Sequence, residues 1–323
     1  MEHAAAQPGS TATGRSAVYV GGPIYPTNPD AAKVVADLSG SGFTTVFLWS
    51  IHVWCSRNSN GVIVDHDDNG DLYYNDVRIV HHGNYVGHAD WPEMLKKLKS
   101  GQSTVKRIEV SVGAGGTKDW EGIKYLIEKS GGDKPEGVLY KNFKALREKT
   151  GAVAVNDDDE SAYNVSSTVK FANMVKAIGY ENFTIVPFER KDFWTQVKKQ
   201  LGTFVDRAYV QCYSGGSRNA SADALKEWSE ELGGMNVDPG LWCKHIPPKG
   251  GSRCTDGDTP DQVKNKLSSW RGESAPIEGG FIWLYDDIKK CGSLKDDDPK
   301  HTAKDYATAV NDATKAKTAA VAR

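Results

Sequence analysis

Short apolar runs rich in β-branched and aromatic residues alternate with longer, more polar segments along most of this chain. Such runs predict buried strands, and they occur at 17–21, 43–49, 105–113, 152–157, 182–187, 207–213, 239–243 and 280–285. The segments between and after them have the mixed spacing of helices, at 30–39, 92–99, 119–130, 138–149, 164–178, 192–201, 221–232, 260–270 and 301–317. Alternating strands and helices predict a parallel sheet covered by helices.

Eight strand–helix units fit the 323 residues of the chain as one (β/α)8 TIM barrel. A doubly wound open sheet is the alternative, but that fold usually carries a G-x-G-x-x-G phosphate turn after an early strand. The glycine-rich segment 111–116 lacks this spacing. We therefore predict an α/β fold with a single barrel over residues 17–323, preceded by a disordered tail at 1–16.

Residues 50–90 interrupt the alternation after the second strand. The extended runs 61–65 and 72–76 flank an Asn-Gly pair, which is typical of tight turns and predicts an inserted β-hairpin. A calcium loop is a second interpretation, because EF-hand positions are matched by Asp65, Asp67, Asn69, Gly70 and Asp76. An EF-hand has flanking helices and ends its loop in Glu, whereas here the flanks look like strands and the last position is Asp. The hairpin is therefore favoured, and no metal or cofactor is predicted.

The composition excludes several classes of partner. The net charge is −2, so no positive field for nucleic acid is expected. No apolar run approaches the length of a membrane span, so a membrane partner is not expected either. Residues 1–16 lack the apolar centre of a signal peptide, although a signal removed earlier would precede this numbering. We expect a monomer and weakly favour secretion.

The five cysteines are an odd number at wide spacings, which is typical of neither a disulfide framework nor a zinc site. Cys243 and Cys254 bracket one loop rich in glycine and proline, and they could close it in an oxidising compartment. Five free thiols are the alternative.

The fourth predicted strand ends in an Asn and four consecutive carboxylates, at 156–160. Strand side chains alternate between faces, so Asn156, Asp158 and Glu160 are expected on one face. Asp157 and Asp159 are expected on the other, towards helices or water, where Lys or Arg could pair with them. In a barrel the carboxyl ends of the strands form the active site, so the first three side chains are candidate site residues.

Other predicted strands end in aromatic and polar residues, which are Trp49, Gln211, Tyr213, Trp283 and Asp286. Sugars have polar edges and apolar faces, so rings combined with acids suit a carbohydrate ligand. We accordingly assign these five residues and Asn156 to substrate binding. For Trp283 a place in the core is the alternative, and for Gln211 either role is open.

This pattern resembles the family-18 glycoside hydrolases, which include chitinases and endo-β-N-acetylglucosaminidases. Their fourth strand ends in D-x-x-D-x-D-x-E, and this chain has Val153, Asn156, Asp158 and Glu160 at those positions. The third-strand motif S-x-G-G is similar to 111–116, although displaced. The family's Q-x-Y triplet is matched at 211–213, and its eighth-strand Trp by Trp283. The resemblance extends from Val18 to Asp286.

The resemblance implies that Glu160 protonates the glycosidic oxygen and that Asp158 orients the 2-acetamido group of the substrate. The carbonyl oxygen of that group then attacks the anomeric carbon, which gives retention by substrate assistance. Two of the family's carboxylates are replaced, by Val153 and Asn156. The implied function is a hydrolase of β-linked N-acetylglucosamine polymers or glycans. The alternative is a non-catalytic chitinase-like lectin or inhibitor.

Overall fold

The computed structural model describes residues 14–295 and 300–315, which form an α/β fold with a central, mostly parallel sheet. The strands are β1 (Arg15–Val20), β2 (Thr45–Val53), β3 (Leu72–Tyr74), β4 (Val77–His81), β5 (Asn84–Tyr85), β6 (Arg107–Val112), β7 (Ala154–Asp157), β8 (Asn182–Ile185), β9 (Val205–Ala208), β10 (Gly240–Trp242) and β11 (Gly279–Trp283). The helices are α1 (Ala31–Gly40), α2 (Trp91–Leu98), α3 (Asp119–Ser130), α4 (Val138–Thr150), α5 (Val165–Ile178), α6 (Lys191–Leu201), α7 (Ala222–Glu231), α8 (Pro260–Gly272), α9 (Tyr285–Ser293) and α10 (Ala303–Thr314).

The parallel strands follow the order β10-β11-β1-β2-β6-β7-β8-β9, so their carboxyl ends lie at one edge of the sheet. Among the described residues no ladder joins β9 to β10, and the sheet is not closed by a continuous pairing. Isolated parallel bridges, Ala208 with Val237 and Gln211 with Gly240, link the two ends instead. The predicted sixth strand, 207–213, is therefore shorter than expected, because its second half is held by single bridges.

An inner aromatic cluster fills the space that the curved sheet encloses. Tyr19 of β1 stacks on Phe47 of β2 with ring centroids 4.2 Å apart, and Tyr209 and Phe281 complete the packing from the opposite side. Aromatic rings bury large apolar areas, so we expect this cluster to be a rigid base for the residues that pack on it. The part-buried Trp49, Tyr213, Trp283 and Leu284 pack on it from the carboxyl edge.

One helix was not expected, and it corrects the predicted cysteine pairing. The apolar run 280–285 ends as a strand at Trp283, and Tyr285 begins α9, whose buried residues Tyr285, Ile288 and Cys291 recur at helical spacing. This helix places Cys291 beside Cys254, and the two form a disulfide. The expected Cys243–Cys254 pair and the set of five free thiols are both wrong, because Cys243 is buried as a free thiol near the Leu284 carbonyl.

The insertion contains antiparallel strands, but not the predicted pair. Strand β2 continues past residue 49 and takes β3 as its partner, with Ile51 opposite Tyr74 and Val53 opposite Leu72. Burial of Leu72 and Tyr74 favours this pairing. Strand β3 then pairs with β4, and β4 with β5. The Asn-Gly pair at 69–70 is therefore not the hairpin turn, and the backbone N–H of Gly70 donates to the Trp54 carbonyl.

The calcium-loop arrangement is also absent from the described residues. Asp65 accepts hydrogen bonds from Tyr125 and Lys129 of α3, so a lysine already neutralises its charge. Asp71 is buried and accepts from Arg78 at 3.2 Å, with the His81 ring 2.8 Å away. The Arg78 guanidinium therefore supplies the positive charge beside Asp71 that a calcium ion would otherwise provide.

The first strand starts inside the predicted tail. Arg15 pairs with Gly279 of β11, and its guanidinium forms ion pairs with Asp238 and Glu278. The ordered chain therefore extends at least two residues beyond the predicted boundary, and the rest of that tail, 1–13, lies outside the described residues. Within the described ranges, no helix combines the length and the apolar character needed to cross a membrane.

Candidate active site

A cavity of about 430 Å³ opens at the carboxyl edge of the parallel sheet, above the inner aromatic cluster. Six of the eight predicted site residues line it, and they come from four different strands or their extensions. The lining consists of Tyr19, Trp49, Ala114, Gly115, Asp158, Glu160, Val186, Phe188, Gln211, Tyr213, Ser214, Gly215, Trp242 and Trp283.

Asp158 and Glu160 follow β7 and are brought together by Gln211. The Gln211 amide Nε2 donates to an Asp158 oxygen at 3.3 Å and to a Glu160 oxygen at 3.4 Å. Gly113 after β6 makes this approach possible, because its φ is +96° and a Cβ there would lie 2.5 Å from the Asp158 carbonyl oxygen. Glycine is therefore required where the two loops meet.

Burial raises the pKa of both carboxyl groups. For Asp158, which is 4 % exposed, the pKa rises well above its ordinary value because of desolvation first and the neighbouring Glu160, Asp159 and Asp119 charges next. The Trp49 indole lies nearby and opposes that rise. For Glu160 desolvation also raises the pKa, while the hydrogen bond from Gln211 lowers it. A protonated carboxyl group beside a second one is the arrangement needed by a general acid.

Aromatic rings form the walls of the cavity. Trp49 meets Trp283 edge to face at 4.6 Å between centroids, and Tyr213 stacks beside Trp283 at 6.0 Å. The Trp49 indole N–H is buried beside Asp158 and acts as a donor towards that carboxyl group. The Tyr213 hydroxyl has a pKa well above its usual range, because of burial and the Asp158 charge, and so stays a neutral donor or acceptor. Flat apolar faces beside polar groups suit a sugar ring.

Two predicted substrate-binding residues lie elsewhere. Asn156 is fully buried beneath the cavity, where its amide donates to Thr184 and accepts from Tyr19. Asp286 lies in the first turn of α9, outside the cavity lining, and its carboxylate accepts from the backbone N–H of Gly21 at 2.9 Å. Asn156 uses both polar atoms of its amide within the protein and is outside the cavity lining, whereas Asp286 is part-buried and its direct contact with a ligand stays a prediction. Val153, at a motif position, is part-buried just before β7.

Within the described residues, the outward-facing acids form no ion pair with Lys or Arg. Asp159 accepts backbone hydrogen bonds from Ser161, Ala162 and Tyr163, which fixes the loop that leaves β7. Asp157 is fully buried and accepts only from the backbone N–H of Asp159, at 3.0 Å. Both carboxylates therefore shape the loop that carries Glu160, and neither reaches a helix cation.

Residue-level reasoning did not select Tyr19, Phe188 or Trp242 as site residues. Tyr19 lies on β1, and its face is shared with Ala17 in the inner cluster. The alternation of β1 is sufficient to place that hydroxyl inside the sheet, although Tyr19 lies within the strand and not at its end. Trp242 stacks on His245 at 3.8 Å and borders Tyr213, so it extends the aromatic wall.

Asp158 and Glu160 are the only carboxylates in the lining, and the lining has no His or Cys. In the described residues, sets of three potential metal ligands occur only in the insertion. The cavity therefore offers acid–base groups and ring-stacking surfaces to a neutral ligand.

No family model and no curated protein sequence matches this chain. Solved structures do match. A fungal endo-β-N-acetylglucosaminidase from glycosyl hydrolase family 18 superposes with a TM-score of 0.61 at 16% identity, over 92% of this chain and 98% of that one. A GH18 chitinase from Pseudoalteromonas aurantia gives 0.60 at 13% identity, over 93% and 99%. The chitinase-like agglutinin RobpsCRA from Robinia pseudoacacia gives 0.51 at 10% identity, over 91% and 98%.

These likenesses cover nearly the whole of each chain, so the protein has a family-18 glycoside hydrolase-like fold, as the sequence motifs suggested. The solved structures include both named hydrolases and an agglutinin. At such low identity the comparison concerns the fold, and the site must be judged from its own residues.

Proposed function

We propose that this protein is a retaining glycoside hydrolase acting on β-linked N-acetylglucosamine polymers or glycans, with the catalytic site in a (β/α)8 barrel. The observation that carries this proposal is the Gln211 amide bridging Asp158 and Glu160 below the aromatic cavity. A general acid, a second carboxyl group and a sugar-sized pocket are thus combined at one place.

In the proposed mechanism Glu160 donates its proton to the glycosidic oxygen as the bond to the leaving sugar breaks. The acetamido carbonyl oxygen of the substrate attacks the anomeric carbon, while Asp158 accepts a hydrogen bond from the acetamido N–H. Water then attacks the cyclic intermediate from the opposite face. Glu160, now a carboxylate, takes the proton of that water, so the configuration is retained.

The cavity walls have a defined part in this scheme. Trp283 packs under the reacting sugar, the Tyr213 hydroxyl is placed to bind a polar group of the ligand, and the Trp49 N–H donates towards Asp158. Because the pKa of Glu160 is raised by burial, its acid form extends to higher pH than that of an exposed glutamate.

The test is product analysis with purified protein. Chitooligosaccharides and an N-glycan are incubated with the protein, and mass spectrometry and ¹H NMR follow the fragments and the anomer formed first. We expect β-anomer products from these substrates and none from cello-oligosaccharides, which lack the acetamido group. Binding of the N-acetylated sugars without any cleavage on prolonged incubation would overturn the enzyme proposal.

A non-catalytic lectin is the second candidate. The loss of carboxylates at Val153 and Asn156 favours it, and so does the similarity to an agglutinin. In that case the same aromatic cavity binds the sugar and Glu160 serves as a hydrogen-bond partner. Binding without cleavage in the experiment above is the result that this candidate predicts.

We also propose that the protein is secreted and acts as a monomer. The Cys254–Cys291 disulfide supports an oxidising compartment, since such bonds are uncommon in reducing ones.

A further inference from the structure

A buried carboxylate that the proposed mechanism does not use lies inside the sheet, below the cavity. Glu109 of β6 is 0 % exposed. One of its oxygens accepts from the Arg107 guanidinium at 2.6 Å and from the Tyr209 hydroxyl at 3.1 Å, and the other accepts from Thr184 at 2.6 Å. All three partners are donors, so Glu109 acts only as an acceptor here.

This acceptor gives direction to a chain of hydrogen bonds. Thr184 donates its single hydroxyl proton to Glu109, so its oxygen can only accept a hydrogen bond from its other neighbour. That donor is the Asn156 amide nitrogen, at 2.8 Å. The Asn156 carbonyl oxygen is thereby turned to the other side, where it accepts from the Tyr19 hydroxyl at 2.9 Å. We refer to Glu109, Thr184, Asn156 and Tyr19 as the relay. Each member has one possible donor–acceptor role while Glu109 is an acceptor.

The upper end of the relay reaches the candidate catalytic pair. Tyr19 lines the cavity together with Asp158, and the two groups interact electrostatically. Because the Tyr19 proton is held by Asn156, only lone pairs of its oxygen remain for the cavity. Asp158 lines the same cavity, where an acceptor turned towards its carboxyl group favours the protonated form.

We propose that Glu109 is a positioning residue that sets the direction of the relay and makes Tyr19 an acceptor towards Asp158. The proposal deepens the proposed function and rests on it for its catalytic meaning. Its structural basis is independent of turnover. It also assigns a role to Asn156, which stands where the family motif has a carboxylate. The negative charge lies instead on Glu109 of the neighbouring strand and acts through two neutral groups, Thr184 and Asn156.

Replacement of Glu109 by glutamine is the sharpest perturbation. The glutamine oxygen would stay with Arg107 and Tyr209, which can only donate to it from their present positions, so its NH₂ group would face Thr184. Thr184 would then donate to Asn156, the Asn156 amide would turn over, and the Tyr19 proton would point to the cavity. Asp158 would meet a donor instead of an acceptor, and its charged form would be favoured.

The experiment is a ¹³C NMR titration of aspartate carboxyl groups, with the Asp158 resonance assigned from its loss in Asp158→Asn. The groups that act on Asp158 are kept in every variant unless named, and they are Glu160, Asp159, Asp119, Trp49, Tyr19 and Tyr213. In Glu109→Gln we expect the Asp158 pKa to fall by about one unit. In Tyr19→Phe, which removes the acceptor without adding a donor, a smaller fall is expected.

The double variant separates positioning from a general structural effect. Tyr19→Phe removes the hydroxyl group at the upper end of the relay, so Glu109→Gln should cause no further change in the Asp158 pKa. The double variant should therefore titrate like Tyr19→Phe alone. Asp206→Asn is the matched control, because Asp206 binds Arg107 but is outside the relay, and the Asp158 pKa should not change. Equal falls in the presence and absence of Tyr19 would overturn the proposal.

Two further outcomes remain informative. If Glu109→Gln fails to fold, Tyr19→Phe alone decides, and an unchanged Asp158 pKa would overturn the proposal. If the wild-type protein cleaves no sugar, the titration still measures the relay, so failure of the proposed function is distinguished from failure of this inference.

Discussion

The inner and outer faces of the chain at 157–160 carry the same chemical group in different surroundings. On the inner face Asp158 and Glu160 share one amide donor and border an aromatic cavity. On the outer face Asp159 accepts three backbone N–H groups, and Asp157 accepts one. The comparison teaches that a run of acids gains its roles from the direction of each side chain. The outer pair holds a loop in place so that the inner pair can face a ligand.

The largest expected effect is on the inner face, at Glu160. Glu160→Gln removes the proton that the leaving oxygen needs but keeps the shape and the contact with Gln211. We expect the rate of hydrolysis of a chitooligosaccharide to fall about 100- to 10,000-fold, while the sugar still binds. Initial rates and isothermal titration calorimetry measure the two quantities. Asp157→Asn, at the last residue of β7 on the outer face, is the control and should retain activity.

The pH dependence of kcat/KM sharpens the same assignment. A general acid works in its protonated form, so activity should decline as pH rises through the Glu160 pKa. Since desolvation raises that pKa, the decline should begin at higher pH than an exposed glutamate would give. A profile that stays flat well into alkaline pH would argue that Glu160 is not the acid.

A smaller loss is expected at Asp158. Asp158→Asn keeps a hydrogen-bonding side chain but removes the carboxyl group, which can become charged as the acetamido group attacks. We expect about a 100-fold loss of kcat, which is typical of a misplaced reacting group. The measurement is single-turnover kinetics with an N-acetylated oligosaccharide. If the variant keeps full activity, the acetamido group takes no part and another nucleophile acts.

The sequence predicted more of the inner face than of the outer one. Alternation along β7 placed Asp158 and Glu160 together, and the strand order brought in Gln211, Tyr213 and Trp283, because parallel strands end at the same edge. Alternation also indicates that Asp157 and Asp159 face away from the cavity, but it contains no information on their partners. Those partners are backbone N–H groups of a loop whose path depends on tertiary packing.

Long-range contacts explain the other errors. Asp286 was placed at the mouth because the last strand was extended by two residues, whereas the chain turns into α9 there. The disulfide could not be deduced without that helix. In the sequence Glu109 is a single acidic residue within a mostly apolar strand, and nothing there indicates that it is buried and therefore requires partners. Those partners come from β6, β8 and β9, which the sequence alone cannot bring into register.

On the outer face, Asp159 is expected to matter for stability. Asp159→Ala leaves three backbone N–H groups without their acceptor, and unmade hydrogen bonds in buried surroundings are costly. We expect a loss of about 2 kcal/mol in the free energy of unfolding, measured by urea denaturation. Asp192→Ala, at an exposed acid in the first turn of α6, is the control and should change little. Equal stability of the two variants would mean that the loop after β7 does not depend on Asp159.

The smallest effect, and the one that separates the two outer acids, is expected at Asp157. Its pKa is raised well above the ordinary value by burial and by the Asp159 charge, and one of its oxygens has no partner within the described structure. The folded state therefore holds a proton that the unfolded state releases above its pKa of 3.8. Stability should decline as pH rises from that value towards the folded-state pKa, by up to about 1.4 kcal/mol per pH unit.

Asp157→Asn removes this titration and keeps the oxygen that accepts from the Asp159 N–H. The variant should match the wild-type protein below about pH 4 and be more stable near neutral pH, by up to about 1.4 kcal/mol for each pH unit between the unfolded-state and folded-state pKa values. Thermal unfolding across this pH range measures the difference. Because Asp159 is held by three donors and Asp157 by one, Asp159→Asn should not give the same gain. A gain of equal size in both variants would show that the number of donors does not distinguish Asp157 from Asp159.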